Sequence, residues 1–573
     1  MNAKALALAI SAALLTACGG DDNKDSKTAI EALGIECVAD TASHETPTGT
    51  LGLSLVGTYV SGNDFATSSA EIVSYDTCSG KLYVINAKDA SVDVLSVSDS
   101  AAPAKTGTID LASAASAAGI SIGSANSVSA KKGLVAVAIE AETKQNAGLI
   151  ALYRSDTLAL IGTYTAGALP DMVTLSADGH YILSANEGEP SSDYSVDPQG
   201  SVTIVDISEG FAADKAVVKQ IGFTDFNTGG SRAAELPAAV RITGPEGTTV
   251  AQDLEPEYLT VSSDSSTAWV ALQENNAMAI INVAEGTVTA IKALGEKSWN
   301  QASGNQLDAS NKDAGTGQFA SYEQLAGLYM PDTLANFEVN GETYILSANE
   351  GDGREYGDYL DEARGGDLTA KVAAEHPLKA ALSSNNELKR LKFVDDRETI
   401  AAGDTLYAFG ARSFSIWNSA AELVYDSGDD IAQRVYAADP EHLNSDHESN
   451  DSADSRSDDK GTEPEAMEAA TIGSRTFAFV GLERQSGVMV YEVTDPTAPV
   501  FQTYVNNRDF TQPVCTEVND DGECDNDTYN TDAGDLGPES IDYFSINGKH
   551  FIAVGNEVSG TTSVYQLNFA TAQ

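Results

Sequence analysis

YILSANEGE at residues 181–189, YILSANEGD at 344–352 and FIAVGNEVS at 551–559 are near-copies of one another. Each opens as an apolar, β-branched and aromatic run of strand length and passes through Asn-Glu. With that unit as a probe, three looser copies appear: VAVAIE ending at Glu140, WVALQE at Glu274 and FAFVGLE at Glu483. Self-similarity at intervals of tens of residues marks a repeat architecture, so the 573 residues read as one array rather than several unrelated domains.

Outward from the repeated strand, short runs rich in Val, Ile, Tyr and Thr recur between Gly, Asn, Asp and Ser, with little helical periodicity. The chain is therefore expected to be all-β. Each unit holds four strands, a to d, and the Glu-ending strand is b. Unit three, for example, is DMVTLS, YILSANE, SVTIVDI and AVVKQIGF, while unit five finds its third strand only at SFSIWN (413–418) and its fourth at ELVYDSG (422–428). Unit seven has three strands, and then the chain stops. The missing one is supplied by LVGTYVSG at 55–62, which matches strand d of unit two, LIGTYTAG at 160–167. A leftover N-terminal strand that completes the last unit predicts a seven-bladed β-propeller closed by that strand.

Residues 1–18 carry Lys4, an apolar run over 5–15 and then LTAC before GGDD. The run is too short to span a bilayer, and the pattern resembles a bacterial lipoprotein signal with Cys18 as the lipidated residue; a plain secretory signal is the alternative. Residues 19–50 are polar and read as a flexible tether, leaving 51–573 as a single propeller domain.

Four further cysteines, an even number in an exported chain, allow three pairings. Closure of the ring selects Cys37 with Cys78, since Cys37 precedes the closing strand and Cys78 sits in the a-to-b turn of the neighbouring blade. A bond there is worth roughly 3–4 kcal/mol in the chain-entropy view. Cys515 and Cys524 are then left to pin a loop locally.

A net charge of -52 excludes a nucleic-acid or anionic-lipid surface as partner and favours cations; a merely solvated acidic surface is the bland alternative. Because strands alternate direction, the b-to-c loops and d-to-a connections of a propeller share one face. On it fall the acids closing strand b (Glu140, Glu187, Glu274, Glu350, Glu483, Glu557) and those opening strand a (Glu71, Asp171, Glu257, Asp332, Glu465, Glu539), with Asn126 the exception. Pro precedes five of the second set, which fixes the entry of the backbone. Two charges about 4 Å apart repel by roughly 1 kcal/mol in water and about 4 at an effective dielectric of 20, so such a cluster needs cations or raised pKa values. Hard oxygen ligands favour Ca²⁺, with Mg²⁺ or a transition metal as other candidates. The competing reading is that these acids only cap loops.

Five long insertions, at 225–254, 294–329, 351–412, 428–462 and 506–537, are expected on the same face. The run NSDHESNDSADSRSDDKG within the fourth reads as a flexible solvated loop, and NDDGECDND within the fifth as a weak calcium signal. No histidine fits a Ser-His-Asp arrangement. Arg354, Arg364, Arg412 and Arg484 lie in top-face loops, and Arg354 and Arg412 are candidates to clamp a phosphate beside metal-activated water; ion pairing with acidic neighbours is the alternative.

MPDTLANFEVNGETYILSANEGDGREYGDY, YAFGARSFSIWN with VYDSGD, and GPESIDYFSINGKHFIAVGNEVSGTTSVYQL resemble the bacterial choice-of-anchor I domain family, which is similar to mesenchyme-specific cell-surface glycoproteins. The resemblance covers roughly 52–569 and carries over the motif positions Asn349, Glu350, Asp352, Arg354, Glu355, Arg412, Pro538, Glu539, Asn556 and Glu557. It implies variable surface anchoring and an alkaline-phosphatase-like label. The expectation is thus an exported lipoprotein of the bacterial envelope, on the outer membrane or cell surface, that touches the membrane only through lipid. Its top face would bind calcium through Asp171, Glu187, Glu257, Glu274, Asp332, Glu350, Glu465, Glu483, Glu539 and Glu557. It would act either as a metal-dependent phosphoesterase on phosphate esters or as a non-catalytic adhesion module for a surface macromolecule.

Overall fold

The computed structural model describes residues 28–37, 45–62, 65–98, 101–517, 524 and 528–570. The predicted signal, Cys18 and all of NDDGECDND except Cys524 lie outside the described residues.

The fold is all-β and dominated by four-stranded antiparallel sheets. Sheet one runs from Val73–Asp76 to Ala101–Asp110, sheet two from Ile122–Lys131 to Leu160–Ala168, and sheet three from Pro170–Leu175 to Val217–Gly222. Sheet four runs from Leu259–Val261 to Thr287–Ala293 and sheet six from Pro464–Ile472 to Val500–Val505. Sheet five is Leu334–Val339, Glu342–Asn349, Ser413–Asn418 and Leu423–Asp426. In sheet seven, Pro538–Ile546, Lys549–Asn556 and Thr561–Ala570 are joined by Thr50–Val60. That first strand lies antiparallel to the last one, pairing Thr50 with Ala570 and Leu53 with Leu567, with a bulge between Leu55 and Gly57.

Successive residues of a strand point to opposite faces, and here both faces of a sheet are covered. In the 181–186 strand, Ile182 packs with Leu152 and Ile150 of sheet two, while Leu183 packs with Val270 and Ile281 of sheet four. The same division repeats at every sheet, which is why the second strands read as unbroken apolar runs. Leu82 and Val84 of sheet one pack against Phe551 and Val564 of sheet seven, so the succession of cores returns to its start. The first strands also touch in sequence order, and that of sheet seven touches that of sheet one.

The insertions depart from the expected open loops. Segments from 294–329 and 351–412 build a separate five-stranded sheet, in which Leu325–Leu328 pairs parallel with Leu406–Ala408. Its own core holds Trp299, Leu325, Leu382, Leu391, Phe393 and Leu406. Apolar residues spaced irregularly through two distant loops carry no visible period, so only their meeting in space turns them into a core. The serine- and aspartate-rich run is likewise not a solvated loop: Asn444, Ser445, His447, Ser457 and Asp458 are buried.

Part of the expected tether is folded as well. Thr28 caps a short helix, Ala29–Leu33, through a capping box with Glu31. Ile30 and Leu33 rest on the core between sheets two and three, and Arg154 Nη1 donates to the Leu33 carbonyl at 3.0 Å. Cys37 is bonded to Cys78 in the first turn of sheet one, and Cys515 to Cys524.

Candidate functional site

Each repeated Asn-Glu divides its work between two side chains. The Asn186 amide is fully buried and donates to Ser201 O (3.0 Å), Ser201 Oγ (3.2 Å) and Thr203 Oγ1 (3.0 Å), tying its strand to the next. Asn349 does the same with Ser413 and Ser415, and Asn556 with Thr561. The Glu that follows points the other way along the alternation, off the end of the ladder.

The acids of the first strands are freed by a second device. Pro170 pairs with Asn186 and Met172 with Ala185, so Asp171 sits in a bulge between them. Glu539 is skipped in the same way between Pro538 and Ser540, and Glu465 between Pro464 and Met467. A bulge leaves one residue unpaired and re-aims its side chain. Three of the Pro-acid dipeptides thus start a bulge, while Glu257 and Asp332 lie just ahead of the strands Leu259–Val261 and Leu334–Val339.

These devices bring both sets of acids together. Ligand atoms of Asp171, Glu187 and Glu257 lie within 4.8 Å of one another, and so do those of Asp332, Glu350 and Glu465. Glu483 forms two more such groups, one with Glu350 and Glu463, the other with His447 and Glu557. Burial, then the neighbouring carboxylates, pushes Glu187, Glu257, Glu465 and Glu539 well above the ordinary range, and burial does so for Glu483 against the pull of Arg484. Asp171 is raised to about 7, chiefly by burial and then by Asp332 and Glu189. Burial likewise lifts Glu274 and Glu350 to about 7. Glu140 is less free, because its Oε1 accepts from the Ser124 amide at 3.0 Å.

The two arginines expected to clamp phosphate are committed elsewhere. Arg354 is 2% exposed and donates to Glu255 Oε1 (3.2 Å) and the Asp253 carbonyl (2.7 Å). Arg412 gives its donors to the carbonyls of Asp308 (3.0 Å), Ser457 (3.0 Å) and Asp459 (2.6 Å), and burial lowers it to about 10. Arg354 pairs with acidic neighbours, the alternative to the phosphate clamp, whereas Arg412 meets backbone carbonyls instead.

The cations that do meet the acidic cluster are Lys460, Arg484 and Arg456, the last with Nη2 2.7 Å from Glu463. Lys460 Nζ donates to Glu350 Oε1 and lies 3.4 Å from Asp352 and 3.7 Å from Glu463. Arg484 Nε is 3.2 Å from Glu463 and 3.3 Å from Glu483, and its Nη1 bonds His447. Burial alone would raise Glu463, but Lys460, Arg456 and Arg484 outweigh it and hold the carboxyl down to about 2. Lys460 and His447 were missed in the sequence because the run that carries them looks like solvated low-complexity chain, and Glu463 follows that run directly. The one available signal was the KGTEPE stretch leading into strand a of unit six.

Residues 71–496 match the choice-of-anchor I domain. The chain belongs to that family. Two curated proteins resemble this choice-of-anchor I chain. Gigasin-3a of Magallana gigas is 39% identical over 93 residues, 15% of this chain and 33% of that protein. The mesenchyme-specific cell surface glycoprotein of Strongylocentrotus purpuratus is 27% identical over 339 residues, 52% of this chain and 43% of that protein. The chain thus spans less than half the length of either. Among solved structures, the β-propeller domain of Cps50 (Swd1) from Myceliophteria thermophila has a TM-score of 0.43 at 8% identity, covering 90% of this chain and 100% of that one. Hydrazine synthase of Kuenenia stuttgartiensis also scores 0.43, at 10% identity, covering 89% and 100%. Family membership and two disulfides point to an extracellular or surface protein. Among the described residues no helix is long and apolar enough to cross a membrane.

Proposed function

We propose that the seven sheets are the blades of a propeller closed by Thr50–Val60, and that its acidic face is a divalent-cation site, with calcium the preferred ion. The observation that carries this reading is the convergence of Asp171, Glu187 and Glu257 within 4.8 Å. Among the described residues none of the three has an ion-pair partner; the cation nearest in effect, Lys144, is exposed and pairs with Glu189 at 3.8 Å. Glu274 Oε2, buried without a hydrogen-bond partner among the described residues, acts on Glu187 and Glu257. An all-carboxylate donor set suits a hard cation that takes 6–8 oxygens, and calcium tolerates irregular geometry better than magnesium. The chain would be tethered to the envelope through lipid on Cys18 and present this face to a surface macromolecule. A non-catalytic binding role is favoured over a phosphoesterase because Arg354 is buried against Glu255 and Asp253, and Arg412 is turned to the carbonyls of Asp308, Ser457 and Asp459.

The test is calorimetric titration of the chelator-stripped protein with Ca²⁺, beside the Glu257→Gln variant. Heat of binding and a rise of several degrees in melting temperature, both weakened in the variant, are expected. A protein that retains no ion and shows no calcium-dependent melting shift refutes the site. Turnover of a generic phosphomonoester with Ca²⁺, Mg²⁺, Mn²⁺ or Fe³⁺ would overturn the non-catalytic role.

A further inference from the structure

The acidic face is not uniform. Around Asp171, Glu187 and Glu257 the described residues supply no ion pair, whereas a fixed cation sits among Glu350, Asp352 and Glu463. That cation is Lys460, whose side chain is only 12% exposed. It is delivered by the fourth insertion, and the backbone around it is gripped on both sides. Arg412 Nη2 holds the Ser457 and Asp459 carbonyls, while Arg390 Nε donates to Asp458 Oδ2 at 2.7 Å. Arg412 is therefore a positioning residue for the lysine.

Next to the ammonium stands a second carboxylate group, Asp332, Glu350 and Glu465, with ligand atoms within 4.8 Å. Glu465 is 5% exposed, and its Oε2 is buried with no hydrogen-bond partner among the described residues. Gln273 Nε2 donates to Glu350 Oε2 at 2.9 Å and fixes that carboxylate in place. A buried carboxylate oxygen left unpaired is costly, and here it lies in a group that a monovalent ammonium only partly neutralises.

We propose that Asp332, Glu350 and Glu465 form a second divalent-cation subsite and that Lys460 is a tethered cation that keeps it closed to metal. The proposal rests on the acidic face being a cation site. The lysine contributes one charge and three donors from a flexible stem, and a divalent ion must displace it to gain the same oxygens. The first subsite fills freely, and the second opens only when the Lys460 side chain is removed or its loop withdrawn. Movement of the 428–462 insertion would then set the charge, and the calcium count, of the whole face.

Equilibrium dialysis against Ca²⁺ followed by elemental analysis counts ions per chain. The wild type is expected to hold one, Lys460→Met two, Lys460→Arg one, and the double variant Lys460→Met with Glu465→Gln one again. A count of one in Lys460→Met, or of two already in the wild type, overturns the proposal and leaves the first subsite standing. No ion in the wild type is instead the failure of the cation site itself. Should Lys460→Met not fold, Lys460→Gln, which keeps a polar stem without the charge, decides: two ions per chain support the proposal and one overturns it.

Discussion

Raising the pH of the metal-free protein from about 5 to about 7.5 is expected to destabilise it, and calcium to remove most of that loss. Asp171 goes from an ordinary 3.8 to about 7 on folding, with burial the main cause. Between those values the folded chain holds a proton that the unfolded chain has released, so stability falls as pH rises through the window. At about 1.36 kcal/mol per pH unit, the roughly two units between pH 5 and the folded value make this single carboxyl worth about 2.5 kcal/mol over the window as a ceiling, since water penetration softens the effect. Glu274, lifted to about 7, acts in the same direction, but neighbouring carboxylates titrate together and their contributions do not add. With about 2.1 cal/mol/K of unfolding entropy per residue, a chain of 573 residues turns about 2.5 kcal/mol into a melting shift of about 2 °C. Calcium binds the deprotonated form, so its stabilising effect should be small near pH 5 and grow toward pH 7.5. Scanning calorimetry in chelator and in saturating calcium measures both curves. A metal-free melting temperature that is flat or rises between pH 5 and 7.5, or a calcium increment that shrinks with pH, refutes the claim that these carboxylates are crowded, buried and metal-seeking.

Two further variants probe the supports of the site. Arg354→Met strands the buried Glu255 and Asp253 and should cost about 3–5 kcal/mol in denaturant unfolding; a loss below about 1 kcal/mol would contradict its role as a brace. Phe393→Ala opens the core of the inserted sheet and should cost about 3–5 kcal/mol locally. Hydrogen exchange should then quicken across 294–329 and 351–412 while sheets one to three keep their protection, and uniform quickening would show that the insertion is not a separate unit.

Much of the strand content was legible because a strand covered on both faces must be apolar at successive positions, and that run is local. In YILSANE the buried strand, the Asn that ties it to its neighbour and the Glu that leaves it are adjacent letters. The matching acids of the first strands were legible through their prolines, although the bulge that frees them appears only in the pairing of Pro170 and Met172. The arginines were misjudged for the opposite reason. Position in a loop says nothing about which carbonyls that loop will meet, and Arg412 found Asp308, Ser457 and Asp459 from two other insertions.

Local pattern therefore settled the repeated strands and the placing of acids at their ends, since each depends on residues a few positions apart. Tertiary structure alone decided which carboxylates share a space, which of them already hold a cation, and that a run of serines and aspartates is a buried wedge. Those outcomes depend on contacts such as Lys460 with Glu350, 110 residues apart, whose energy is set by burial and distance rather than by any pattern along the chain.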